Sequence, residues 1–150
     1  MSVSFPRVPT LLLLVLAAAC QHPAPEPETS DRRQAVTLPP EARDAVLAEM
    51  RTMLGSLDGI VTGLAKGDST AIRQAAAASG LATAADPHLE ELLPEQFLTW
   101  GMATHQQFDT LAASAASGAT ADTTLAQLSR ITQLCVSCHA TYRIAVGGTP

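Results

Sequence analysis

The chain has 150 residues, 27 of them alanine, with 47% apolar, 15% charged and 3% aromatic residues and a net charge of −5. That length holds one domain with a real core and excludes two ordinary ones. The alanine content and scarcity of aromatics favour helix over a β-sandwich or barrel. Lys66 is the single lysine, so no basic patch can be assembled and nucleic acid is not an expected partner.

The chain opens MSVSFPRVPTLLLLVLAAAC, with Arg7 ahead of an apolar run from Leu11 to Ala19. The run is far short of the roughly 20 residues that cross a bilayer as a helix. It suits the apolar region of a signal peptide over residues 1–19. Ala17, Ala18 and Ala19 lead directly to Cys20, which resembles the lipobox of bacterial lipoproteins, with Ala17 where that family usually carries leucine. The resemblance implies lipidation of Cys20 and, with Gln21 after it, an anchor in the outer membrane. Ordinary cleavage after Ala19 fits the same alanines, and either route exports the chain to the periplasm. In residues 21–38, Pro23, Pro25 and Pro27 alternate with small and acidic residues. Residues 20–38 are therefore expected to be an extended tether that buries nothing. His22, inside it, is set aside.

The folded domain is expected over residues 39–146, with 147–150 as a tail. Pro39-Pro40-Glu41 marks a helix start. Val46, Met50, Met53, Leu54, Leu57, Ile60, Val61 and Leu64 then recur in steps that form one helical face. Gly67 ends that helix, and Asp68 or Ser69 caps a second one running through Ile72 and alanines 75–78 to Gly80. A loop with Asp86, Pro87 and His88 follows. A third helix opens at Pro94-Glu95 with the stripe Phe97, Gly101, Thr104, Phe108, Leu111, Ala112 and Ala115, closing at Gly118. A fourth starts with Asp122 as cap and carries Leu125, Leu128, Ile131, Thr132, Cys135, Cys138 and Tyr142 before Gly147. No stretch alternates with period two. The expected fold is all-α, an antiparallel four-helix bundle. Alanine-faced helices bury modest apolar area, a deficit that something bulky and apolar inside the bundle would repair.

Cys135-Val-Ser-Cys138-His139 offers such a group. Two cysteines three apart lie on one helical face, where each can form a thioether to a vinyl group of one haem. The histidine that follows is held where it can bind the iron as the proximal axial ligand. C-x-x-C-H is the attachment signature of c-type haem, and export and a core-facing position agree with it. A redox dithiol expects a βαβ setting early in its domain, and a structural zinc needs four ligands, whereas the remaining cysteine is Cys20. A disulfide here would close a tiny loop and constrain little. One covalent haem c is the expected cofactor, and a dithiol is the alternative.

Only 11 residues follow His139. A motif so near the C-terminus, reading CVSCHATYR over 135–143, resembles the class II cytochromes c, the cytochrome c-prime family. The hydrophobic run closing on Lys66-Gly67 is similar to that family as well. The likeness covers roughly residues 40–145 and is specific at 135–143. It implies a four-helix bundle with a C-terminal haem, often a homodimer, that carries electrons or binds small gases. It implies haem-side positions for Tyr142 and Arg143, the latter near the proximal face. It also implies a distal residue on the first helix, which counting back from Lys66-Gly67 puts at about Arg51, beside Met50.

Met50 and Met53 both lie on the apolar stripe. Met50 is the first candidate for the sixth iron ligand, with Met53 and His105 as alternatives; core packing is the plain reading of both methionines. Met102 and Trp100 are read as packing. The expected function is single-electron transfer among redox partner proteins of the periplasm. No nucleophile–base pair or metal triad suggests an enzyme. An open-site haem protein binding nitric oxide or carbon monoxide, and a haem-free thiol–disulfide protein, are the alternatives.

Overall fold

The computed structural model describes residues 31–84, 89 and 91–147. Cys20, the signal-type segment, most of the proline-rich stretch and the loop of Asp86, Pro87 and His88 lie outside them. The chain from Arg33 onward forms one compact unit. In order it contains β1 (Gln34–Leu38), α1 (Pro40–Lys66), α2 (Ser69–Ala77), a 3-10 turn (Leu81–Thr83), α3 (Glu95–Ala116), α4 (Ala121–Thr141) and β2 (Tyr142–Val146). The expected helical fold is observed, with a small sheet added to it.

The helix ends follow from local chemistry. Pro40 opens α1 with Glu41 in its first turn, a proline and an acid where the orphan N–H groups and the positive end of the dipole favour them. Gly67 closes α1 in the left-handed region at φ 65°, its N–H reaching the carbonyls of Gly63 and Leu64, a conformation that costs glycine little. Asp68 caps α2 by accepting from the Ala71 N–H at 2.9 Å. Thr120 rather than Asp122 caps α4, its hydroxyl accepting from the Thr123 N–H at 3.2 Å. Asp122 stands in the first turn instead.

Helix α1 packs on α2, α2 on α3 and α3 on α4, while α1 and α4 scarcely touch directly. The short, alanine-rich α2 lies very close to α1. A Cβ on Gly59 would stand 2.7 Å from the Ala75 methyl, and one on Gly63 would stand 2.7 Å from Ile72 Cγ1. This docking shifts the buried face of α1 onto Ala42, Val46, Ser56, Ile60 and Gly63. Leu54 and Val61, expected on that face, are 66% and 52% exposed, because α2 sits over the small residues and not over the large ones.

The two strands pair in parallel, from Gln34 with Tyr142 to Leu38 with Val146. They correct two expectations. The tether does not extend to residue 38, since Val36 and Leu38 are 2% and 0% exposed. The last helix does not run to Gly147, because Tyr142 turns to extended backbone. Each strand is only five residues long and its partner lies at the other end of the domain, so no local pattern announces it. The sheet, the start of α1 and the start of α3 enclose one apolar cluster of Val36, Leu38, Ala42, Val46, Leu89, Phe97 and Tyr142. All four helices enclose a second one of Ile60, Ile72, Ala76, Phe108, Leu111, Ala115 and Ile131. Among the described residues no helix is long and apolar enough to cross a membrane.

Candidate functional site

Between α1, α3 and the C-terminal half of α4 lies an open-mouthed cleft. Val46, Glu49, Met50 and Met53 line it from α1, and Leu134, Cys135, Cys138 and His139 from α4. Helix α3 contributes Phe97, Trp100, Met102 and His105 among others. The structure thus brings the C-x-x-C-H motif and both stripe methionines to one space. Trp100 and Met102 face the same space and are not confined to helix–helix packing.

Cys135 and Cys138 are unpaired and half-buried. Cys135 packs against the Phe108 cluster and Cys138 against the Val36–Phe97 cluster, so the cleft stands at the junction of the two apolar bodies. Burial pushes both thiols above their ordinary pKa, and Cys135 raises Cys138 further. They also ride on the last two turns of α4, where the negative end of the helix dipole disfavours a thiolate. Nucleophilic redox cysteines have the opposite setting, a helix N-terminus or a cationic neighbour that lowers the pKa.

His139, four residues after Cys135, is exposed and lines the cleft mouth. Its backbone carbonyl accepts from Arg33 Nη1 at 3.2 Å, so the residue leading into β1 reaches back to the motif.

His105 is 3% exposed. Its Nδ1 lies 2.9 Å from the Ser79 carbonyl and its Nε2 lies 2.8 Å from Glu49 Oε1. The hydrogen bond it donates to the Glu49 carboxylate raises its pKa and outweighs the burial that lowers it. With both ring nitrogens engaged, His105 has no free nitrogen to offer an iron. Sequence reasoning missed Glu49. The available signal was an acid repeating the spacing Ala42, Val46, Glu49, Met53, Ser56, which puts a carboxylate on the inner seam.

Tyr142 and Arg143 do not line the cleft. Once the chain leaves the helix at Thr141, their side chains no longer follow the helical face. Tyr142 is buried one layer back, meeting Phe97 edge-on at 5.5 Å and Trp100 at 6.0 Å. Arg143 pairs with Ala35 in the sheet and keeps a buried Nε without a hydrogen-bond partner among the described residues.

Among the described residues no three His, Cys, Asp or Glu side chains gather as a protein-only metal cage. The donor set fits a haem better. Two neutral thiols suit thioether bonds, an imidazole lies next to them, thioethers lie across the cleft, and the intervening walls are apolar. No protein-family model, curated protein or solved structure matches the chain, so the cleft and the motif carry the functional reading by themselves.

Proposed function

We propose that the chain is an exported c-type cytochrome, a four-helix bundle closing on one covalent haem and moving single electrons in the periplasm. The carrying observation is the cleft between two separate apolar clusters, with Cys135, Cys138 and His139 on one wall and Met50 and Met53 on the other. A haem bound there supplies a one-electron couple at its iron, tuned by the axial ligands and the surrounding dielectric.

The residues divide the work. Cys135 and Cys138 would hold the group through sulfur, which would prevent its loss. His139 would bind its iron, and Met50, with Met53 one turn along as the alternative, would supply a second donor. Phe97, Trp100 and Leu134 keep water from the apolar faces, and Tyr142 braces Phe97 and Trp100 from behind. The raised thiol pKa values disfavour dithiol exchange, which needs the thiolate. Cys20 would tether the carrier to the outer membrane through lipid, near its periplasmic redox partners.

The test is an absorption spectrum of the protein made with c-type maturation machinery, recorded oxidised and reduced. The expected result is a haem that resists acid–acetone extraction, is low-spin in both states, and is lost in Cys135→Ala plus Cys138→Ala. A matured protein without haem overturns the reading. A five-coordinate, high-spin spectrum assigns the site to small-gas binding instead. Intact mass of the mature wild type tests the anchor: a chain starting at Cys20 without added lipid removes it.

A further inference from the structure

Beside the cleft runs a chain of polar side chains that electron transfer by itself does not require. Glu49 on α1 meets His105 on α3, His105 meets the backbone of Ser79 in the α2–α3 connection, and Ser79 Oγ lies 2.8 Å from Ser56 Oγ back on α1. His105, Ser79 and Ser56 are all buried. A carbonyl only accepts, so His105 Nδ1 donates to Ser79 and Nε2 is left for Glu49. In its charged form the ring therefore donates from both nitrogens, to the carbonyl and to the carboxylate.

The two attachment points on α1, Glu49 and Ser56, are seven residues apart, which is about two helical turns. Both ties converge on Ser79, one directly and one through His105. Met50 and Met53 lie between them in the chain and line the cleft. A bracket with two feet on one helix fixes both its rotation and its slide. Slipping α1 by one residue would turn a side chain by about 100° and move it about 1.5 Å, whereas a ligand must be held to within about 0.5 Å. Stability alone does not account for the bracket, because exchanging a largely buried ion pair, here a buried His105 with a partly exposed Glu49, for apolar residues is often neutral or favourable. Fixing register is the better-attested use of such groups. Glu49, Met53, Leu89 and His105 also line a second cleft lying against α1 and the α2–α3 connection, so the pair stands between the two spaces.

We propose that Glu49, His105, Ser79 and Ser56 are positioning residues that hold α1 in the register presenting the Met50 sulfur to the haem cleft. This rests on the haem reading above. Glu49→Leu removes the tie at similar volume, and Glu49→Gln keeps a hydrogen bond to the ring. Both are made as matured protein and compared with wild type at equal haem content. The readouts are the near-infrared band of iron–methionine coordination and the rate of carbon monoxide binding.

The expected result is that Glu49→Leu loses the band and binds carbon monoxide about tenfold faster, the scale of a lost support to a metal ligand, while Glu49→Gln stays close to wild type. Glu49→Leu with a wild-type band and rate overturns the bracket and leaves the haem reading standing. A wild type without haem, or with a high-spin haem, overturns the assignment of Met50 and the bracket together. If Glu49→Leu does not fold, Ser56→Ala carries the test. It removes only the hydroxyl bridge and should shift the rate in the same direction by less; an unchanged rate there overturns the proposal.

Discussion

The two apolar clusters are closed in different ways. Around Phe108, residues from all four helices meet with Ile60, Phe108, Leu111 and Ile131 fully buried, and small residues let α1 and α2 come together. Around Phe97, the sheet and the ends of three helices leave Met50, Leu93, Trp100 and Cys138 only half-buried beside a cleft. The first cluster is closed at its centre and gives only Met53 and Cys135, at its edge, to the cleft. The second has more apolar surface facing that space, through Met50, Leu93, Trp100 and Cys138. Division of this kind lets one end of a small domain supply stability while the other gives it up for binding.

The sharpest way to break the comparison is to truncate one phenylalanine in each cluster. Phe108→Ala empties a site packed on every side and should cost about 3–5 kcal/mol. Phe97→Ala in the haem-free protein should cost clearly less, since that ring already borders the cleft. Urea unfolding of both variants measures the difference. Equal losses would mean that the cleft end is as tightly packed as the other.

A pair of glycines gives the next largest effect, with opposite signs. Gly63→Ala drives a methyl towards Ile72 Cγ1 at 2.7 Å and the Ile72 nitrogen at 3.1 Å, and should destabilise by about 1–3 kcal/mol. Gly101, on α3 at the cleft, has nothing within 4 Å of an added Cβ. Gly101→Ala should stabilise the haem-free protein by about 0.4–1 kcal/mol through reduced unfolded-state freedom. Thermal midpoints read both, and a stabilised Gly63→Ala would show that α2 is not held against α1.

The Glu49–His105 pair joins the two regions, and its signature is pH dependence. Glu49 raises the His105 pKa in the folded state above the unfolded value of about 6.5. The pair's contribution is therefore fully present below about pH 6.5 and declines as the pH rises through the folded value. Thermal midpoints of wild type and His105→Gln, compared from about pH 6 to about pH 9, should converge as the pH rises. A gap that widens with pH would contradict the geometry of this pair.

How much of this was legible in the sequence depends on whether the cause is local. Gly67, Asp68 and the Pro94-Glu95 step mark helix ends by chemistry acting within a few residues, and all three marks hold. Cys135, Cys138 and His139 were legible because one helical turn sets their spacing, and the structure places them on the same cleft as Met50 and Met53. The β1–β2 pairing joins Gln34 to Tyr142 across the whole domain, so nothing near either residue signals it. The exposure of Leu54 and Val61 follows from where α2 docks, a tertiary outcome that periodicity along α1 cannot contain. The engagement of His105 is likewise tertiary: its ring nitrogens find partners 56 positions upstream at Glu49 and 26 upstream at Ser79.

A substitution with a small expected change in stability tests the functional end most directly. Met50 is half-buried on the cleft wall opposite Cys138, with both packed on the Val36–Phe97 cluster. Met50→Leu keeps the residue apolar and nearly conserves its volume, so it should cost less than about 1.5 kcal/mol. On the proposed haem reading, its effect on the iron should be complete. With the thioether gone, the matured protein should turn from low-spin to high-spin, lose the near-infrared band and bind carbon monoxide and nitric oxide readily. Because unfolding cannot explain a spectral change at so small a cost, the two measurements together separate ligation from packing. An unchanged spectrum in Met50→Leu with a changed one in Met53→Leu would move the ligand one turn along α1. Insensitivity to both substitutions would make the two methionines part of the cleft wall and nothing more. The functional end would then owe its openness to a vacant sixth position, with α3 and α1 shaping the space around it.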